Sequence, residues 1–172
     1  MRKEFDIQTE WLGFEIHPET PRGGISITTL LPPGALDGML QKLRDMGEPF
    51  GITFSKMGLL PNSRMAIEAS EFARDSGKFD EFHEEVFRSF FTHGRDIGDV
   101  DVLAELAKGV GLDSDSLKKE LAEERYTERL DQVRIETIKD GITAAPTFVI
   151  EGGVHIVGAQ PLDVFREALS KH

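Results

Sequence analysis

Residues 62 to 140 form a long run of helix-like sequence, which separates two chain ends that carry strand-like patterns. In the clearest helix, apolar residues at spacings of i, i+3, i+7, i+8 and i+11 share one face: Phe79, Phe82, Val86, Phe87 and Phe90. Similar periodicity predicts helices from Gly34 to Gly47 and from Ser63 to Arg74. Strands at the ends with helices between them predict a mixed sheet that is covered by helices.

Alternation of apolar and polar residues predicts strands at both ends of the chain. From Phe5 to Trp11 every second residue faces one side, which predicts a strand that continues to Ile16 after a bulge near Gly13. The apolar runs 147–150 and 154–157 flank a glycine-rich turn and predict a β-hairpin. Pro161 then opens a final helix.

The composition excludes several functional classes. The chain has 31 acidic and 20 basic residues, a formal net charge of −11, and such a surface repels nucleic-acid phosphates. No apolar run is long enough to span a membrane, so we expect a cytoplasmic protein. There is no cysteine, which excludes disulfides, thiolate metal sites and a cysteine nucleophile in this chain. The five histidines lack metal-ligand spacing, so no metal site is predicted.

The residues before the predicted hairpin form the most informative local motif. Pro146 directly precedes the strand and cannot donate a backbone hydrogen bond to a neighbouring strand. A cis Ala145–Pro146 bond would turn the chain sharply there and would leave the backbone of Ala144 and Ala145 available to an extended ligand. An ordinary trans proline at a strand start is the alternative interpretation.

The run from Gly141 to Ile150 resembles the cis-proline loop of the thioredoxin superfamily. Together with residues 157–161 it resembles the DsbA-like branch of that superfamily. Residues 10–18 resemble the second strand of the FrnE-type oxidoreductases, and residues 90–99 resemble part of their helical insertion. The same branch includes 2-hydroxychromene-2-carboxylate isomerases and kappa-class glutathione transferases.

This resemblance implies an α/β, thioredoxin-like fold with a helical insertion domain. Residues 1–61 and 141–172 would form the thioredoxin-like part, and residues 62–140 the insertion. The implied activity is thiol–disulfide oxidoreduction on protein or peptide thiols and disulfides, without a resident cofactor. Ala144, Ala145 and Pro146 would contact substrate. Asn62 matches an asparagine that contacts glutathione or substrate in relatives, although capping of the following helix explains it without a ligand and is the favoured interpretation.

The sequence departs from the family pattern at its start. The first βα unit, with its Cys-x-x-Cys turn, is not found ahead of Phe5, so no catalytic residue is predicted and we expect no thiol redox activity. In the family fold that first strand lies mid-sheet, so its absence would expose two edges and favour a homodimer. Two alternatives remain open: a glutathione-dependent isomerase or transferase, and a non-catalytic peptide-binding module.

Overall fold

The structure is a computed structural model that describes residue 1 and residues 3–171. It divides into two compact units, each described here by itself. One comprises Met1–Ile16 with Leu130–His172, and the other comprises His17–Arg129. The sequence predicted domain boundaries at 61/62 and 140/141 instead. That division concerns the thioredoxin-like part and its insertion, whose boundaries need not match those of the compact units. It therefore stays a prediction.

The larger unit, His17–Arg129, is mainly helical. Its two short strands, β1 (Ile25–Ser26) and β2 (Leu59–Leu60), pair antiparallel. A short 3-10 segment lies at Glu48–Phe50, and a short π-helical segment lies at Arg88–Thr92. The helices of this unit are α1 (Ile27–Leu30), α2 (Ala35–Gly47), α3 (Arg64–Asp75), α4 (Phe79–Phe87), α5 (Val100–Gly109), α6 (Ser114–Ala122) and the start of α7 (Thr127–Lys139).

The core of this unit lies among α3, α4, α5 and α6. Alanines line the buried face of α3, which lets the neighbouring helices approach closely. The starts of α5 and α6 are capped, because the Asp99 and Asp113 carboxylates accept hydrogen bonds from backbone N–H groups two and three residues on. The core residues are Ala66, Ala69, Ala73, Phe82, Val86, Leu103, Leu106, Ala107, Leu117 and Leu121.

The predicted apolar face of α4 is partly corrected by the structure. Phe82 and Val86 are buried, but Phe87 is 50% exposed. In α4, Val86 faces the core, and Phe87, about 100° around the helix from it, lies at the edge of the apolar face. The periodicity therefore predicted the helix correctly but assigned too many residues to its buried face.

A partly buried ion cluster joins α3 to the first turn of α7. The Glu68 carboxylate is buried and accepts hydrogen bonds from Arg64 Nε at 2.9 Å and from Thr127 Oγ1 at 3.0 Å. One turn along α3, buried Glu71 accepts a bond from Arg129 Nη1 at 3.0 Å. The Arg129 hydrogen bond lowers the pKa of Asp75, which shares the guanidinium with Glu71. Each buried carboxylate of α3 has a hydrogen-bonding partner in the first turn of α7. These contacts therefore fix that turn against α3.

The smaller unit contains the C-terminal part of α7, a hairpin and the last helix. Strands β3 (Thr147–Ile150) and β4 (Val154–Val157) pair antiparallel, and α8 spans Leu162–Leu169. Phe148 packs edge-to-face on Phe165, with ring centroids 4.9 Å apart. The hairpin and the final helix predicted from the sequence are therefore present.

The predicted strand from Phe5 to Ile16 is wrong. No residue from 5 to 16 belongs to a strand, so a bulge at Gly13 has no ladder to interrupt. The described residues form two separate two-stranded antiparallel sheets, not one mixed sheet. Alternation selects which side chains share a face, whereas a strand also requires a neighbouring backbone to bond with.

Candidate functional site

The candidate site is the exposed loop that enters β3. The Ala145–Pro146 peptide bond is cis, and both residues are exposed while Ala144 is half-buried. Two bonds hold the loop: Gly158 N–H donates to the Pro146 carbonyl at 2.7 Å, and Thr147 Oγ1 donates to the Ala144 carbonyl at 2.7 Å. These two hydrogen bonds fix the loop through the Pro146 and Ala144 carbonyls, while Ala145 and Pro146 remain exposed to solvent.

Three backbone groups of this loop remain open in the described structure. The N–H groups of Ala144 and Ala145 and the carbonyl of Ala145 have no hydrogen-bond partner. The sequence predicted that the backbone of both alanines would be available. The Ala144 carbonyl differs, because the Thr147 hydroxyl occupies it. The remaining donors and acceptor can pair with an extended polypeptide, which offers the complementary groups along its own backbone.

The loop and the start of β3 carry no charged side chain of their own. Residues 142 to 149 include no acidic or basic side chain. Beyond the loop, the Gln160 side-chain amide donates to the Val157 carbonyl at 2.8 Å and closes the neighbouring turn. Such a surface suits recognition by backbone hydrogen bonds and apolar contact, with little dependence on the charge of the ligand.

Asn62, the fourth predicted site residue, lies in the larger unit at the start of α3. Its Nδ2 donates to the Thr20 carbonyl at 2.5 Å, and its Oδ1 accepts from the Arg64 backbone N–H at 3.0 Å. The backbone of Gly98 lies close to that of Asn62. A Cβ atom added at position 98 would lie 2.9 Å from the Asn62 carbonyl oxygen. The amide thus orders the entry to α3. A contact between Asn62 and a ligand stays a prediction.

A column of aromatic rings along α4 was missed by the sequence reasoning. His83 stacks between Phe79 and Phe87, at centroid separations of 5.4 and 4.4 Å, and Phe91 continues the column at 5.7 Å from Phe87. The signal that could have revealed it is the i, i+4 spacing of these four residues. Burial is the main cause that lowers the pKa of His83, with Arg74 acting in the same direction and Asp80 opposing it.

Neither a cluster of metal-ligating side chains nor a membrane-spanning helix is found in the described part of the chain. No three histidine, aspartate or glutamate side chains there are grouped as metal ligands would be. In the same part of the chain, every helix is too short or too polar to cross a membrane.

Comparison with known proteins places the chain among thioredoxin-like proteins. The family described as DSBA-like thioredoxin domain matches residues 1–170. An uncharacterised protein of Bacillus subtilis (strain 168), YwbO, is 33% identical over 169 residues, which cover 96% of this chain and 82% of the relative. The crystal structure of a probable DsbA oxidoreductase from Streptomyces coelicolor superposes with a TM-score of 0.85 at 22% identity, over 92% of this chain and 72% of the other. These matches confirm the DsbA-like thioredoxin fold expected from the sequence.

Proposed function

This chain belongs to the family of DSBA-like thioredoxin domains, and on that premise we propose that it is a FrnE-type member that binds extended thiol- or disulfide-containing polypeptides. Family membership implies thiol or disulfide substrates in general. The observation that supports binding is the exposed loop at Ala144 to Pro146, whose open backbone groups match those of an extended chain. We propose further that this 172-residue polypeptide does not carry out thiol–disulfide exchange by itself.

The chemistry of exchange explains the second part of the proposal. A thiolate attacks one sulfur of the substrate disulfide, and the other sulfur leaves as a thiolate. This polypeptide has no cysteine to supply the attacking group. Its own residues can therefore bind and align a substrate backbone, while the electron transfer requires a thiol from elsewhere.

The first test is a turbidity assay of insulin reduction by dithiothreitol. Because the chain has no thiol, we expect the rate with this protein to equal the rate with dithiothreitol alone. A thioredoxin in a parallel sample verifies that the assay responds. Turnover above background that scales with protein concentration would contradict the proposal of redox inactivity.

The second test asks whether the loop binds polypeptide. The probe is the insulin B chain with alkylated cysteines, which is extended and cannot exchange. Replacing exposed Ala145 with aspartate places a charge beside the open backbone groups, and we expect affinity to fall about tenfold or more in calorimetry. Ala35→Asp is the matched control, since Ala35 is exposed in the other unit. Equal loss in both variants, or no binding by the wild-type chain, would refute the site.

Three further expectations remain proposals. Glutathione binding near Asn62 is the alternative ligand assignment. A homodimer is the expected assembly, and the cytoplasm the expected location.

A further inference from the structure

The hydroxyl of Thr147 holds the candidate loop from its own first strand. Thr147 begins β3, and its Oγ1 donates a hydrogen bond of 2.7 Å to the Ala144 carbonyl. The hairpin fixes the backbone of Thr147, which lies opposite Val157. Because threonine branches at Cβ, few rotamers are open to its side chain. The Ala144 carbonyl is therefore bonded by a group whose own position is already determined.

This bond also determines the direction of the Ala145 N–H group. The Ala144 carbonyl and the Ala145 N–H belong to one peptide unit, and that peptide bond is trans. In a planar trans peptide the C=O and N–H bonds point in opposite directions. Since Thr147 binds the carbonyl on one side, the N–H is directed to the other side. That N–H is one of the backbone groups proposed above to pair with the ligand.

The carbonyl that follows Ala145 is held by a different residue. The Pro146 carbonyl accepts a 2.7 Å hydrogen bond from the N–H of Gly158, directly after β4. Gly158 has a φ of +80°, a conformation that glycine adopts readily. This bond fixes the peptide unit after Pro146. The unit that carries the Ala145 N–H is therefore oriented by the Thr147 hydroxyl and not by Gly158.

We propose that Thr147 is a positioning residue for polypeptide binding at this loop. Its hydroxyl holds the Ala144–Ala145 peptide unit so that the Ala145 N–H is presented to a carbonyl of the ligand. Without the hydroxyl, that unit must be ordered when the ligand binds, and the cost of ordering lowers the affinity. This role rests on the proposed function, because it concerns the same loop and the same ligand.

The role is tested by calorimetric titration with the alkylated insulin B chain. Thr147→Val keeps the branched shape of the side chain but removes its donor. We expect the affinity to fall about fivefold, the effect of one neutral hydrogen bond. Thr147→Ser restores a hydroxyl at the same position, and we expect it to bind within about twofold of the wild-type affinity.

Thr29→Val is the matched control for the valine substitution. Thr29 also donates through Oγ1 to a carbonyl three residues earlier, that of Ser26, at 2.7 Å. It lies in the larger unit, whereas the loop lies in the smaller one. The same substitution therefore removes the same kind of bond from a place that the ligand does not involve. We expect the affinity of this variant to equal that of the wild type.

The amide resonance of Ala145 gives a readout that a purely structural role of Thr147 would not change. In the wild-type chain, we expect its amide proton to shift downfield as the probe saturates the loop, because the N–H enters a hydrogen bond. In Thr147→Val, we expect a smaller shift at saturation, because the N–H is no longer held in the binding direction. Thr147→Ala removes the same hydroxyl and replaces the valine variant if that variant does not fold.

The outcomes distinguish the positioning role from the proposed function. If the wild-type chain does not bind the probe, both are refuted. If Ala145→Asp weakens binding but Thr147→Val does not, the positioning role alone is refuted. An equal loss in Thr147→Val and Thr147→Ser, or in Thr147→Val and Thr29→Val, would also refute it, because the affinity would then not depend on the hydroxyl at position 147. The same holds if the Ala145 shift at saturation is equal in the wild type and in Thr147→Val.

Discussion

Replacing Phe82 with alanine is expected to lower the free energy of unfolding of the larger unit by about 3–5 kcal/mol. Phe82 is completely buried in the cluster formed by α3, α4, α5 and α6. Removal of its ring leaves a cavity among closely packed helices, and such a site collapses only partly. Urea denaturation followed by far-ultraviolet circular dichroism measures the change, because this unit is mainly helical.

Phe87→Ala is the matched control for this prediction. The same side chain is removed from the same helix, but Phe87 is half-exposed and contacts the aromatic column beside the core. We expect a loss of about 1 kcal/mol or less, since little new cavity forms. Equal losses in the two variants would show that the core does not centre on Phe82.

Replacing Glu68 with alanine is expected to destabilise the larger unit by about 3 kcal/mol. The Glu68 carboxylate is buried and accepts hydrogen bonds from Arg64 and Thr127, so its removal takes both of these bonds away. The cost arises mostly from the weakened pairing of the partly buried Arg64 guanidinium and from the lost bond between α3 and the first turn of α7. Chemical denaturation at neutral pH again provides the measurement.

The control for Glu68 is an ion pair on the surface. Glu84 pairs with Arg88 at 2.8 Å, but its side chain is 72% exposed, and Glu84→Ala should cost less than about 0.5 kcal/mol. A double-mutant cycle between Glu68→Ala and Thr127→Val isolates the contact that joins the two helices. Additive losses in that cycle would show that the Glu68–Thr127 contact does not contribute to the link between α3 and α7.

Local patterns predicted much of the secondary structure. The sequence predicted a helix from Ser63 to Arg74, and α3 spans Arg64–Asp75. The hairpin strands occupy the predicted ranges, 147–150 and 154–157. In each case the decisive interactions join residues close in sequence: helical hydrogen bonds in the first, and a glycine turn between short apolar runs in the second.

The candidate site was likewise predictable only in the features that depend on local sequence. The loop at Ala144 to Pro146 is a local motif, and its exposure follows from its position before the hairpin. The occupation of the Ala144 carbonyl by Thr147 depends on a side-chain rotamer, which the sequence pattern does not specify. Asn62 shows the limit more clearly, because its partner Thr20 lies 42 residues earlier in the chain.

The sequence by itself determined the periodic elements, the acidic surface charge and the absence of a thiol in this polypeptide. Only the tertiary structure decided that Phe82 faces the core while Phe87 does not, and that residues 5–16 remain outside the strands. The physical reason is the range of the interactions involved. Helical bonds and tight turns form between residues a few positions apart, whereas burial and strand pairing depend on surfaces brought together from distant parts of the chain.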